Sequence, residues 1–290
     1  MVNKSSLELV SDNQEGLPIR EGGEWTYEKL FFLAEYLKRF IVSMRPKEWR
    51  SINYIDPYSG PGKNCLRDGR IILGSPLIAI NQNPSFDTYY LSDIDPKNTG
   101  ALKQRCVVST NGGKVKLDTG DANVIVDKIA DDLYRQEKIF IKGKFSTLNL
   151  AFLDPAGLEL YWTTVEKLAA FRTDLIIYYS QMGITRNGEN EISQSPNTPI
   201  DLFFGDTNWR QIYKNHHHDV SGVHRPLLDY YKSKLATFGY QVEEPLEEPV
   251  FRNSKDAPMF RLLFASKSPL GNKFWRGATS RLLSGQGRLF

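Results

Sequence analysis

The sequence is poor in cysteine, and it has no long hydrophobic run. Among its 290 residues only Cys65 and Cys106 are cysteines. Two thiols are too few for a disulfide framework or a four-thiolate metal site, so a reducing compartment is expected. No apolar stretch approaches the roughly 20 residues of a membrane-spanning helix, and the polar first residues do not resemble a secretory signal. These absences predict a soluble cytoplasmic protein without membrane association.

The sequence also lacks a large excess of positive or negative charge. The formal net charge is +3, and the basic residues are spread along the chain, so charge alone does not indicate a nucleic-acid-binding protein. What the chain has in quantity is aromatic surface, with 16 Phe, 14 Tyr and 5 Trp, which is enough to bury a core without disulfide bonds. We expect a flexible segment over residues 1–24, which lack hydrophobic periodicity, and a single domain over residues 25–290.

Short apolar strands alternate with helices through the first two thirds of the chain. The near-continuous apolar character of several of these strands is typical of strands covered on both faces. The predicted parallel strands cover residues 51–56, 87–95, 113–123 (with a turn), 146–155 and 173–180. A hairpin of residues 249–253 and 258–268 follows them. This order predicts an α/β, doubly wound, Rossmann-like class I methyltransferase fold, with a mostly parallel sheet and a C-terminal antiparallel hairpin.

The alternation of strands and helices stops at residues 183–226. This segment is rich in Asn, Gly, Ser and Pro, which predicts an inserted lid region. Three adjacent histidines, His216 to His218, invite a metal site. Adjacent side chains point in different directions, however, and no Glu or Cys completes a zinc spacing. A polar lid loop without metal is therefore the favoured interpretation.

Acidic turns follow the predicted strands, and ligands of open α/β sheets bind at the carboxyl ends of strands. The first turn carries Asp56, Ser59, Gly60 and Gly62. Its glycines allow close backbone approach to a ligand, although a plain Gly/Pro turn would have the same composition.

Three further strands end in similar turns. Asp93 is placed to accept both hydroxyls of a ribose, Asp121 with Ala122 could receive an adenine amino group, and Asp154-Pro155 lies beside the expected transfer point. Each acid could instead cap a helix or lie solvated in a loop. Taken together, four acidic turns at one sheet edge suit S-adenosylmethionine.

The order of the motifs resembles the three-Cys-motif partner proteins, from about Trp25 to Trp275. The resemblance is carried by YIDPYSGPG, GSPLIAI, YYLSDIDP, GDAN, LAFLDPAGLELYW and FASKSPLGNKFW. It implies a methyltransferase-like fold and a separate protein partner that bears the three cysteines. By matching motifs it places the first turn at the methionine end of the cofactor, Asp93 at the ribose, Asp121 with Ala122 at the adenine, and Asp154 at the reaction centre.

The sequence departs from the usual methyltransferase pattern at two places, and both concern the methyl acceptor. The loop 63–73 interrupts the passage from the glycine turn to a helix, and its Arg67 and Arg70 either meet an anionic substrate or form a solvated basic loop. The Asp154-Pro155 turn resembles the Asp/Asn-Pro-Pro-aromatic turn of adenine amino-methyltransferases, but it lacks the second proline and the aromatic residue. Tyr161 and Trp162 are the nearest rings, and they could stack on a substrate or belong to the core.

The leading hypothesis is an S-adenosylmethionine-dependent methyltransferase whose acceptor is a nucleic acid or a small molecule. One alternative is a catalytically silent methyltransferase-fold subunit that binds a three-Cys-motif protein. A nicotinamide oxidoreductase is a second alternative, disfavoured because the terminal hairpin and the Asp-Pro turn have no place in that layout.

Overall fold

The molecule is built from two β-sheets and the helices that cover them. The structure, a computed structural model, describes residues 10–11, 15–138, 146–216, 222–241, 248–253 and 255–283. In chain order the strands are β1 (Val10–Ser11), β2 (Arg20–Gly22), β3 (Ser51–Asp56), β4 (Lys63–Leu66), β5 (Ile71–Leu73), β6 (Thr88–Asp93), β7 (Val115–Thr119), β8 (Thr147–Leu153), β9 (Thr173–Tyr179), β10 (Val250–Arg252) and β11 (Pro258–Ala265). The helices are α1 (Glu24–Met44), α2 (Ser75–Ile80), α3 (Pro96–Val107), α4 (Ala122–Lys138), α5 (Trp162–Ala169), α6 (Gln181–Glu191), α7 (Pro199–Phe204), α8 (Trp209–His216), α9 (His224–Ala236) and α10 (Pro269–Leu283).

The larger sheet has seven strands in the order β10-β11-β9-β8-β3-β6-β7. The pairs among β3, β6, β7, β8 and β9 are parallel, whereas β11 runs antiparallel to both β9 and β10. If only the strands of this sheet are numbered in chain order, with β3 as the first, they lie side by side in the order 3-2-1-4-5-7-6. The seventh strand in this count is β11, which is antiparallel to its neighbours. This is the strand order of the class I methyltransferase fold, and it confirms the fold class and terminal hairpin predicted from the sequence.

Two hydrophobic clusters cover the opposite faces of this sheet. Successive residues of β3 point to opposite faces, so Tyr54 joins one cluster and Ile55 the other. The first cluster includes residues of α1, α2, α3 and α10, and the second includes residues of α4, α5 and α6 to α9. Every residue of β8 and β9 is buried, which explains the unbroken apolar runs in their sequences.

A small sheet in the order β1-β5-β4-β2 corrects two sequence-based expectations. Strand β2 pairs in parallel with β4, and β1 pairs antiparallel with β5. Residues 10–11 and 20–22 therefore belong to a sheet, although the sequence predicts a flexible segment over 1–24. Residues 63–66 and 71–73 form a hairpin rather than an irregular loop. Pairings this short leave almost no periodicity to detect, because two or three residues cannot show an alternating pattern.

The region predicted as a lid is instead helical and largely packed into the core. Helices α6, α7 and α8 fall within or across residues 183–226, and Phe203, Phe204 and Trp209 are fully buried. Helix α7 begins with a capping box between Thr198 and Asp201. The carboxylate of Asp201 also accepts hydrogen bonds from Trp209 Nε1 and from the Arg210 guanidinium. The polar composition of this segment reflects helix caps and connections rather than a loop over a site.

No helix among the described residues has the length and apolar content needed to cross a lipid bilayer.

Candidate functional site

The turn that follows β3 is fixed above the strand ends by hydrogen bonds. Both the amide and the hydroxyl of Ser59 donate to the carbonyl oxygen of Ser92, at 2.8 and 2.9 Å. Gly60 and Gly62 adopt φ values of +61° and +93°, a region in which glycine has no steric penalty. A Cβ on Gly62 would lie 3.0 Å from Leu102 Cδ1. This turn therefore presents bare backbone at the carboxyl edge of the sheet.

Asp93, at the end of β6, holds the glycine turn from the neighbouring strand. Its carboxylate accepts hydrogen bonds from the amide of Gly60 at 3.0 Å, the amide of Asp95 at 2.9 Å and Asn98 Nδ2 at 3.0 Å. Oδ2 accepts only the Gly60 bond among these, so a lone pair remains for a ligand hydroxyl. The next residue, Ile94, is 73% exposed and borders the acidic cavity.

The end of β7 and the start of α4 form the next part of the edge. Asp121 Oδ1 accepts hydrogen bonds from the amide and side chain of Asn123, at 2.8 and 3.0 Å. Asn123 reaches the loop after β8 as well, donating to the carbonyl oxygen of Glu159 at 2.8 Å and accepting from the Tyr161 amide at 3.0 Å. Ala122 is buried at the base of this arrangement. Asp121 thus precedes the first residue of α4 and accepts a hydrogen bond from its first turn, which is the helix-cap role that the sequence also allows.

Two cavities open along this edge. The acidic cavity, of about 540 Å³, is bordered by residues from the turns after β3, β6, β7 and β8 together with Pro199 and Leu202 of α7. The basic cavity, of about 620 Å³, is bordered by β2, the start of α1, the glycine turn, β4 and the Asp-Pro turn after β8. The acidic side chains of the first are Asp93, Asp95, Asp121 and Glu159, and the basic side chains of the second are Arg20, Lys29, Lys63 and Arg67. The cavities share Arg20, Tyr58, Pro155 and Ala156, so they form two halves of one groove.

Asp56 borders neither cavity. Its side chain is fully buried beneath the glycine turn, where it accepts hydrogen bonds from Tyr54 Oη at 3.2 Å and from the Tyr58 amide at 3.3 Å. Burial raises the pKa of Asp56 to about 7, and the negative charge of Asp154 contributes to the rise, while the hydroxyl of Ser75 opposes it. The placement of Asp56 in direct contact with a ligand is therefore corrected: it supports the turn from below.

Asp154 faces the basic cavity and is paired with a lysine from a distant element. Lys29 Nζ of α1 lies 2.6 Å from Asp154 Oδ2, and the two side chains are 13% and 10% exposed. The other carboxylate oxygen, Oδ1, is buried and has no hydrogen-bond partner among the described residues. A buried acceptor without a partner costs free energy, so a donor from a ligand would be favourable at this position. Sequence reasoning missed Lys29, because 125 residues separate the partners and its position in α1 carries no motif.

Arg20 is a second functional residue that the sequence did not reveal. It lies in β2, within the segment expected to be flexible, and it borders both cavities. Its aliphatic stem and guanidinium pass 4.0 Å from the position of a Cβ on Gly60. No ion pair or hydrogen bond of its side chain with another described residue is present. A guanidinium so placed can bind a carboxylate or phosphate at the junction of the two cavities.

Two rings expected at the acceptor do not lie in the basic cavity. Tyr161 borders the acidic cavity. Trp162 is a core residue, packed edge-on against Tyr231 with a centroid distance of 5.0 Å, and its Nε1 donates to Glu166. The rings that do border the basic cavity include Tyr178 of β9 and Phe260 of β11, besides Trp25 and Tyr58. Parallel pairing of β8 with β9 brings Tyr178 next to Asp154, and antiparallel pairing of β11 with β9 brings Phe260 next to Tyr178, so sequence proximity does not reveal Phe260.

The two arginines of the β4–β5 hairpin differ in position. Arg67 borders the basic cavity, with its guanidinium 5.5 Å from the centre of the Trp25 ring. Arg70 lines neither cavity, since its guanidinium pairs with Asp68 at 2.6 Å and lies over Tyr27. Only Arg67 is therefore placed to meet a ligand in the cavity.

The histidine segment and the cysteines supply no metal chemistry that the structure describes. His216 is exposed at the end of α8, whereas His217 and His218 lie outside the described residues. Within the described parts of the chain no three His, Cys, Asp or Glu side chains converge as metal ligands. Cys65 and Cys106 are both free thiols, and burial raises the pKa of Cys106 to about 11, which makes it a poor nucleophile.

Comparison with solved structures finds similar but distant folds. A Legionella pneumophila protein with the family label DUF519 has a TM-score of 0.47 at 12% identity, covering 86% of this chain and 90% of that one. An Escherichia coli candidate methyltransferase, yhhF, has a TM-score of 0.37 at 12% identity, covering 80% and 86%. The CurJ carbon methyltransferase has a TM-score of 0.38 at 14% identity, covering 81% and 54%. No protein-family model and no curated protein matches the chain. The fold assignment accordingly rests on the strand order of the sheet.

The groups that border the groove can be compared with those of S-adenosylmethionine, the cofactor predicted from the sequence. The acidic cavity offers the free lone pair of Asp93, the Asp121–Ala122 pair and the exposed Ile94 to an adenosyl group. The glycine turn leaves room for close approach of a ligand, and Arg20 offers a partner for a carboxylate. The arrangement can therefore hold a ligand that has a nucleoside at one end and an amino acid at the other.

Proposed function

We propose that this protein is an S-adenosylmethionine-dependent methyltransferase. The observation that carries the proposal is the groove itself, in which the glycine turn, Asp93, Asp121 and Asp154 from four successive parallel strands border two connected cavities. Ligands of open α/β sheets bind at this edge. The strand order supplies the fold on which such chemistry occurs, and the groove supplies the groups that it needs.

The acidic cavity would hold the nucleoside part of the cofactor. Asp93 Oδ2 would accept a ribose hydroxyl, and its other hydrogen bonds keep the carboxylate from turning away. Asp121, fixed by Asn123, would lie beside the adenine with Ala122 beneath it. Four carboxylates around this cavity also favour a ligand of positive charge.

The amino-acid part would lie across the glycine turn. Arg20 would bind its carboxylate at the junction of the two cavities, in a charge-assisted pairing. Ser59 and Gly60 keep the backbone of the turn in place through their bonds to the end of β6. Asp56 would act indirectly, by supporting the turn from beneath.

The chemistry requires little beyond alignment. Bound S-adenosylmethionine supplies a methyl group on a sulfonium sulfur, open to in-line attack by a nucleophilic atom. Asp154 Oδ1 is placed to accept a hydrogen bond, and then a proton, from that nucleophile, while Lys29 fixes the orientation of the carboxylate. Pro155 and Ala156, shared by both cavities, form the wall past which the two ligands meet. Orientation of this kind supplies much of the rate in a bimolecular displacement.

We also propose that the enzyme acts together with a separate protein bearing a three-cysteine motif. The support for this partner is the resemblance of the motif order between Trp25 and Trp275. A catalytically silent subunit of the same partner is the alternative. Co-purification of the tagged protein with its cellular partners, followed by mass spectrometry, tests the pairing; recovery without any cysteine-motif protein would contradict it.

Calorimetric titration with S-adenosylmethionine tests cofactor binding, and the same titration with NADH tests the oxidoreductase alternative. Transfer of a labelled methyl group to pooled RNA, DNA and small molecules then separates an enzyme from a silent subunit. Asp154→Ala should bind the cofactor nearly as the unmodified protein does but should lose turnover. Full activity in that variant would show that Asp154 only stabilises its turn.

A further inference from the structure

A column of stacked rings ends at the basic cavity. Phe251 stacks on Phe260 with centroids 4.5 Å apart and an interplanar angle of 7°, and Phe260 stacks on Tyr178 at 4.3 Å and 27°. Within the part of the chain that the structure describes, no further ring packs against Tyr178, and this residue borders the cavity. Tyr178 is 7% exposed, and the Lys29 ammonium lies 5.8 Å from the centre of its ring. A planar aromatic ligand in the cavity would pack against the accessible part of this ring beside the lysine.

Beside the end of the column stands an incomplete pair of hydrogen-bonding groups. Asp154 Oδ1 is buried without a partner, in a side chain that is nine-tenths buried. The ammonium of Lys29 donates to Oδ2, which leaves two of its three hydrogens for other acceptors. Asp154 Oδ1 therefore offers a hydrogen-bond acceptor to the cavity, and the Lys29 ammonium beside it offers a donor. An amino group next to a ring nitrogen, as on adenine or cytosine, satisfies both groups at once.

The remaining wall carries three cationic side chains, Arg20, Lys63 and Arg67, and one acidic side chain, Glu21. Arg20 and Arg67 border the cavity without an ion pair to any described residue, and Arg67 lies over the Trp25 ring. Lys63 lies deeper and is neutralised by Glu15. Arginines at the mouth of a cavity that has an aromatic interior are suited to a phosphate attached to a base.

We propose that the basic cavity binds the methyl acceptor and that this acceptor is a phosphorylated nucleotide unit with an exocyclic amino group. The base extends the ring column at Tyr178, the amino group donates to Asp154 Oδ1, the ring nitrogen accepts from Lys29, and the phosphate lies near Arg67, since Arg20 is assigned to the cofactor carboxylate. The inference rests on the proposed methyltransferase function and names the substrate class of that site. The unit belongs either to a free nucleotide or to a single strand of nucleic acid.

Binding can be measured without any turnover. The protein is titrated calorimetrically with AMP, with purine riboside 5′-monophosphate, which lacks only the amino group, and with ribose 5-phosphate, which lacks the base. Titrations are run with and without S-adenosylhomocysteine. We expect AMP to bind about 10- to 100-fold more tightly than the purine analogue, because the analogue leaves Asp154 Oδ1 unpaired. Ribose 5-phosphate should bind more weakly still.

The variant Asp154→Asn sharpens the test. The ammonium of Lys29 would donate to the oxygen of the new amide, so the NH₂ group would take the place of Oδ1. Two NH₂ groups would then face each other without an acceptor between them. We expect the preference for AMP over the purine analogue to fall to about 1 or below. Asp118→Asn, in an exposed ion pair with Lys128, is the matched control and should keep the preference. Thermal unfolding of each variant verifies that it is folded.

The outcomes separate this inference from the function on which it rests. Equal affinity for AMP and the purine analogue, or no nucleotide binding by a protein that binds S-adenosylmethionine, would overturn the inference and leave the methyltransferase proposal standing. Amine-dependent binding without methyl transfer would keep the nucleotide site but would remove both the enzyme and the assignment of that nucleotide as a methyl acceptor. Comparing AMP with a single-stranded oligoadenylate then identifies the source, since the tighter ligand shows whether the unit is free or part of a strand.

Discussion

Asp93 combines two tasks in one side chain, because it holds the glycine turn and leaves one lone pair for a ligand. Asp93→Ala should weaken S-adenosylmethionine binding by about 10-fold or more, since a hydrogen bond to a charged group contributes roughly 1.5–3 kcal/mol. Calorimetric titration measures the change, and Asp118→Ala serves as an exposed control on β7. Unchanged affinity would remove Asp93 from the ribose site.

Variants of Arg20 test cofactor binding in the groove without changing the acidic residues of the turns. Replacing it by alanine should lower the affinity for S-adenosylmethionine by about 10-fold, because a carboxylate would lose a charge-assisted partner. Arg20→Lys should recover part of the loss by charge alone, without paired geometry. The affinity of adenosine, which has no carboxylate, should be the same for all three proteins; a parallel loss there would mean that Arg20 supports the fold of β2 instead.

The buried carboxyl of Asp56 makes the stability of the protein depend on pH. Its pKa is raised to about 7 in the folded state, against roughly 3.9 for an exposed Asp. Between these values Asp56 binds more protons in the folded state than in the unfolded state, so its contribution to the free energy of unfolding falls as the pH rises from about 4 to about 7. Burial lowers the pKa of His224 to about 4, so His224 contributes in the opposite direction.

Asp56→Asn should flatten this dependence, because an amide does not titrate. Urea unfolding at intervals between pH 4 and pH 8 measures the slope for the variant and the unmodified protein. Asp174 retains part of the slope in both, since its burial raises its pKa to about 6. Identical slopes in the two proteins would contradict a raised pKa at Asp56.

At the scale of elements, the helices between β9 and β10 are structural rather than a removable lid. Trp209 is fully buried, packs against Phe204 and Tyr213, and donates its indole hydrogen to Asp201. Trp209→Ala should destabilise the fold by about 3–5 kcal/mol, through lost packing and a cavity that cannot collapse fully. Urea denaturation measures this loss; Val124→Ala, at an exposed position in α4, is the control.

Helix α7 contributes to the wall of the groove. Pro199 and Leu202 border the acidic cavity, on the cofactor side of the groove. Acceptor selection is therefore assigned to the opposite side, where β2, the start of α1 and the β4–β5 hairpin surround the basic cavity. Deletion of residues 190–222 would remove core side chains and should unfold the domain. A folded, stable deletion product would instead support the prediction that this segment is a lid.

At the scale of the whole molecule, the two cavities differ in charge in a way that suits two ligands. The acidic half favours a cationic cofactor, and the basic half favours an anionic acceptor. Because the cofactor site is assembled from several strands, it forms only in the folded protein. S-adenosylmethionine at 100 times its dissociation constant should therefore raise the free energy of unfolding by about 2.7 kcal/mol.

Chemical denaturation with and without the cofactor measures that stabilisation. NADH at the same concentration is the control ligand and should leave the unfolding transition where it is. Stabilisation by NADH but not by S-adenosylmethionine would instead support the oxidoreductase alternative.

The sequence by itself determined the large sheet and the turns that follow its strands. Runs such as those of β8 and β9 are legible because full burial demands apolar residues at every position, and a strand that ends in a glycine or acidic turn marks the ligand-binding edge without reference to distant residues. The class of fold follows from the order of these local signals, as does the alignment of Asp93, Asp121 and Asp154 along one edge.

Only the tertiary structure decided which other side chains meet at that edge. The pairing of Lys29 with Asp154, the position of Arg20 between the cavities and the ring column that ends at Tyr178 each join residues far apart in the chain. It also assigned Asp56 to a supporting place beneath the turn and Trp162 to the core. Contacts of this kind depend on how helices and antiparallel strands pack across the sheet, and packing leaves no periodic trace in a single sequence.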